Sequence, residues 1–180
     1  MAATLTDIEA AIWTALAGLV AGYTVDSATP TTPSIAGTSA PSDAHPVRSL
    51  QRYAGEVTLA FAELAEKGLG MFDATQLPAV FVAFAGAKPL GADGAYVEGG
   101  GHLFEAVLRT RWAVYVVVGD IRGDAQATLA SIAGQPAALS ISQKVLETLT
   151  GLQIAGLHDG KPLELDGLEP WIIARRIAFI

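Results

Sequence analysis

The run from Phe104 to Gly119 constrains this chain more than any other feature. Its first half alternates, with Glu105, Val107, Arg109 and Arg111 opposite Phe104, Ala106, Leu108, Thr110 and Trp112. From Ala113 through Val118 it becomes continuously apolar and rich in β-branched and aromatic residues. Alternation marks a strand with one wet face, and an uninterrupted apolar run marks a strand covered on both faces. The pattern predicts a central strand whose polar first half extends beyond the core, toward solvent or another subunit.

Around that strand the other elements are shorter. Leu5, Ile8, Ile12, Leu16 and Leu19 recur at spacings of three and four, which predicts a helix over 5–20 with one apolar stripe. Thr4 or Thr6 is placed to cap it, Asp7 and Glu9 sit at its positive end, and Trp13 is expected to pack. Val47–Tyr53 reads as a strand. Glu56–Lys67 reads as a helix burying Val57, Ala60, Phe61 and Leu64, ended by Gly68 and Gly70. Pro78 opens a strand over Ala79–Ala85. Two helical pieces follow at Ala125–Ile132 and Ile141–Leu149, with Gly151 as a stop, and Trp171–Ile180 reads as a closing strand. Arg175 and Arg176 would lie on opposite faces of that strand.

The segment 24–46 differs from its surroundings. From Ser27 to Pro46 it is rich in Ser, Thr, Pro and Gly, with no periodicity, and is expected to be a flexible loop or arm. The expected fold class is α+β: one domain over 1–180, with a mixed or antiparallel sheet packed with helices.

Composition bears on function chiefly by what it excludes. Hydrophobic residues are 51% of 180 and charged ones only 16%, which rules out intrinsic disorder and leaves apolar surface for burial between subunits. The net charge of -7 contains no basic cluster to neutralise a row of phosphates, so no sequence-specific nucleic-acid binding is expected. An acidic surface would instead repel nucleic acid, as the lining of a passage requires. With no cysteine there are no disulfides and no thiolate chemistry, in keeping with a reducing cytoplasm. The first residues lack a secretory signal pattern, and no apolar run reaches the roughly 20 residues that span a bilayer.

No catalytic constellation emerges. His45, His102 and His158 are scattered and form no metal motif, and the serines lack a GxSxG elbow. The glycines between 86 and 101 fit neither GxGxxG nor GxxxxGK[ST], so they read as a turn or hairpin connection. Asp120 and Asp124 read as solvated turn residues, and Arg122-Gly123-Asp124 as a turn rather than an adhesion motif. No enzyme activity, cofactor or metal is expected.

The order of several segments resembles the Mu-like phage and prophage tail-terminator family. The similarity lies in Ile8-Glu9-Ala10-Ala11-Ile12, Tyr53-Ala54-Gly55-Glu56 and Leu77-Pro78-Ala79-Val80. It continues through Trp112-Ala113-Val114-Tyr115-Val116-Val117-Val118, Val145-Leu146-Glu147-Thr148-Leu149-Thr150-Gly151 and Ile172-Ile173-Ala174-Arg175-Arg176-Ile177-Ala178-Phe179. These short matches are spread along most of the chain outside 24–46, and their specificity lies in order and spacing. The resemblance implies a structural virion protein that closes into a ring, commonly of six subunits. That ring would cap the tail tube, stop its polymerisation and offer a surface to a head-completion or connector protein. It implies assembly in the host bacterial cytoplasm and residence at the head-proximal end of the tail. The expected interface residues are Glu105, Arg109 and Arg111, together with the 86–101 loop. The alternatives are another tail-completion or head–tail connector protein and, in a different class, a small-molecule-binding or enzymatic domain. The last would need a deep pocket with converging polar groups.

Overall fold

Thr4 starts the first helix, α1 (Leu5–Ala17), with a reciprocal cap. The Asp7 amide donates to Thr4 Oγ1 at 3.2 Å, and the Thr4 amide donates to Asp7 Oδ2 at 2.8 Å. Ile8, Ile12, Trp13, Leu16 and Ala17 are buried, whereas Leu5 at the head of the stripe is exposed. Periodicity predicts a helix to residue 20, but the chain leaves it at Gly18. Leu19–Ala21 are held instead by Val47, whose amide donates to Leu19 O at 3.1 Å while Ala21 N donates to Val47 O at 2.9 Å. These residues remain apolar because they are buried, in a turn whose Val20 forms an isolated bridge with Val47.

The computed structural model describes residues 3–53, 77–89, 108–119, 136–157, 162–167, 171–174 and 177–179. Its sheet has six strands: β1 (Ser34–Ala36), β2 (Ser49–Tyr53), β3 (Ala79–Pro89), β4 (Leu108–Gly119), β5 (Trp171–Ala174) and β6 (Ile177–Phe179). Their order is β1-β2-β3-β4-β6-β5. Among the described strand pairs only β2–β3 is parallel, with Ser49 opposite Ala79, so the sheet is mixed and the fold is α+β. The strand predicted to be central, β4, lies between β3 and β6.

One face of the sheet presents Leu50, Val80, Val82, Val116 and Val118 to α1 and to a second helix, α2 (Ala138–Leu149), which contributes Ala138, Ile141 and Val145. The other face carries a smaller cluster of Ala79, Phe81 and Val117, with Tyr53 and Tyr115 packed edge to face at 6.0 Å. Each fully buried aliphatic side chain contributes about 1.5–3 kcal/mol. The α2 helix begins three residues before its expected start, and Gly151 (φ +82°) lies just past its end, where the chain turns.

Two expectations need correction. The segment 24–46 is not merely a loop or arm, because it contains a 3-10 turn at Thr29–Thr31 and the edge strand β1, whose Ile35 is buried opposite Leu50. Its polar residues bond locally: Asp26 Oδ1 accepts from the amides of Ala28 (2.9 Å) and Thr29 (3.0 Å). The buried Thr29 hydroxyl shares a 2.9 Å bond with Tyr23. Gly37 is required where the segment crosses Ala21, since an added Cβ would come 2.5 Å from Ala21 O. A strand of three residues with one buried side chain is too short to produce a period. The predicted closing strand over Trp171–Ile180 is likewise divided into β5 and β6, which pair antiparallel with each other.

The predicted helices at Glu56–Lys67 and Ala125–Ile132, together with Asp120, Asp124, Arg122-Gly123-Asp124, His102, His158 and Arg175-Arg176, lie outside the described residues.

Candidate functional site

The β3–β4 hairpin is long, and its two halves have different surroundings. Ala79–Ala83 pairs with Ala113–Val117 in regular antiparallel register, and these β3 residues are all buried. The register then shifts between Phe84 and Gly86, so that Ala85 has no partner across the ladder. Gly86 has φ +130°, a conformation that L side chains rarely adopt. Beyond this bulge the pairs are Gly86–Arg111, Ala87–Thr110, Lys88–Arg109 and Pro89–Leu108.

Strand alternation sorts the outer half into two faces. Phe84, Ala87, Thr110 and Trp112 continue the face that carries the main core. Phe84 is 46% exposed and meets the partly buried Trp112 edge to face at 5.3 Å. Trp112 Nε1 donates to Thr110 Oγ1 at 3.3 Å. Lys88, Arg109 and Arg111 share the opposite face, and all three are exposed.

Arg111 bonds within the chain: its Nε donates to Asp166 Oδ2 at 2.8 Å, and Nη2 donates to the same oxygen. This ties the segment 162–167 to the hairpin. The same segment is also held by Leu163 N, which donates to Leu152 O at 3.0 Å. Of the residues expected at an interface, Arg109 and Arg111 stand on one face of one strand, while Glu105 lies outside the described residues. In the 86–101 loop, 86–89 belong to β3 and 90–101 lie outside the described residues. Lys88 falls within the loop expected at an interface, but its place opposite Arg109 was not legible because only the bulge sets that register.

The other charged cluster is structural. Arg52 on β2 lies 3.2 Å from Glu9 on α1, stacks 4.7 Å above the Trp13 ring and donates to Pro30 O. It ties the first helix, the 3-10 turn and the sheet together, and Trp13 is fully buried as expected of a packing residue. The Arg52 Nε–Glu9 contact is an ion pair without hydrogen-bond alignment, so its contribution is mainly electrostatic. Among the described residues no three His, Asp or Glu side chains are grouped to hold a metal, and no helix is long and apolar enough to cross a membrane.

Comparison with protein-family models, with curated proteins and with solved structures finds no match for this chain.

Proposed function

We propose that this chain is a structural virion-assembly protein of the tail-terminator kind. In this role it closes into a ring, caps the phage tail tube, halts polymerisation and presents its opposite face to a head-completion or connector protein. The observation that carries the proposal is the outer half of the β3–β4 hairpin. A strand pair that leaves the core with Phe84 and three cations exposed is built for contact with another surface rather than for the interior. The ordered resemblance of segments to terminator proteins gives that contact a purpose, and the mixed α+β sheet is compatible with it.

A ring closes through heterologous side-to-side contacts, in which one patch meets a different patch on the next copy. The net charge of -7 suits a ring around DNA, since an acidic lumen lets the duplex pass without adhering. No catalytic step is assigned to any residue. The test is tube polymerisation with purified tail-tube protein from the same phage. Added chain is expected to shorten the tubes in proportion to its concentration and to remain bound at one end. Tubes of unchanged length with no bound chain would overturn the proposal.

A further inference from the structure

Six lysine and arginine side chains are described, and four have partners within the chain. Arg52 pairs with Glu9, Arg111 with Asp166 and Lys144 with Glu147, while Arg48 Nη1 donates to Ser39 O at 2.6 Å. The remaining two, Lys88 and Arg109, stand directly opposite each other across the outer hairpin, both exposed and with no ionic partner among the described residues. Like charges directly opposite on one sheet face destabilise the pair. The arrangement becomes favourable when a carboxylate from outside sits between them. On the reverse face of the same strands, Phe84 and Trp112 present an apolar edge.

We propose that the outer β3–β4 hairpin is the docking arm of self-assembly, with Lys88 and Arg109 clasping a carboxylate of a second copy while Phe84 is covered by the same neighbour. This rests on the ring-forming reading above. Charge complementarity identifies the occupant: the chain carries 18 acidic and 11 basic side chains, so a second copy offers a predominantly acidic surface. Lys88 and Arg109, beside an Arg111 already paired with Asp166, are too few to follow a nucleic-acid backbone.

The full-length chain and its K88E and F84S variants are compared by sedimentation velocity at about 0.05 M and about 0.5 M salt, conditions across which screening of exposed charges changes strongly. K88E sets a carboxylate opposite Arg109, so the isolated subunit should keep or raise its melting temperature. Its self-association should nevertheless weaken about tenfold, with much of the wild-type salt dependence lost. F84S should weaken association without removing the salt dependence. Because K88E improves the hairpin's internal pairing, weaker assembly by this variant cannot be ascribed to misfolding.

Wild-type rings matched in strength by K88E rings would overturn the arm while leaving the ring proposal standing. A wild type that stays monomeric at every concentration would overturn both. Tight binding of duplex DNA at physiological salt by the wild type, lost in K88E, would assign the cations to phosphate and overturn the self-docking arm.

Discussion

The inner and outer halves of the β3–β4 hairpin are one continuous pair of strands in two different surroundings. In the inner half Val80, Val82, Val116 and Val117 are all 2% exposed or less, and Ala113, Val114 and Tyr115 are partly buried. In the outer half the same backbone pairing continues through exposed Phe84, Lys88, Arg109 and Arg111. Hydrogen bonding does not distinguish the halves, since both are ladder-paired. What differs is burial, since Phe84, Lys88, Arg109 and Arg111 are exposed where the inner β3 residues are buried. The inner half belongs to the core, and the outer half is the surface to which the proposed contact is assigned.

Substitutions can break this contrast. Val116→Asp buries a charge against the helices, where no described cation waits to pair it, and should cost more than about 4 kcal/mol, enough to unfold the domain. Loss of the cooperative thermal transition is the readout. Gly86→Ala probes the junction. An added Cβ would meet nothing within 4 Å, so its cost is the backbone strain of φ +130° alone, about 1–3 kcal/mol, measured by urea denaturation. Thr4→Ala removes the cap of α1 and should cost about 1 kcal/mol. Asp166→Asn in the exposed outer pair should cost at most about 1 kcal/mol in the isolated subunit.

The capping box also sets a pH dependence. Hydrogen bonds from the Thr4 amide and hydroxyl hold the Asp7 carboxyl below its ordinary value of 3.8. A depressed carboxylate pKa contributes stability that is present above the unfolded value and lost as pH falls through the folded one. Asp7→Asn should therefore be less stable than wild type at neutral pH, and the difference should close in acid below that value. A gap that persists unchanged in acid would contradict the capping role.

Elements that bury several side chains at a regular spacing were legible in the sequence. The α1 stripe, the apolar run of β4, the strand after Pro78 and the second helical face around Val145 were all visible because burial imposes a local period. β1 was not, because Ile35 is its single buried apolar side chain and its place depends on pairing with Leu50, fifteen positions away. The division of the closing segment into β5 and β6 was also hidden, since its apolar pattern suits one strand or two. At the candidate site, Arg109 and Arg111 could be placed on one face from alternation alone. The Lys88–Arg109 juxtaposition depends on a one-residue bulge, and the Arg111–Asp166 pair joins positions 55 residues apart. Neither leaves a local trace.

The most direct test of ring assembly at the tail is cryo-electron microscopy of intact phage tails carrying this chain. The prediction is a closed ring of this protein between the last tail-tube ring and the head connector, with each subunit's β3–β4 hairpin against its neighbour. Density showing the chain elsewhere in the particle, or a purified chain that remains monomeric and never associates with tail tubes, would contradict it.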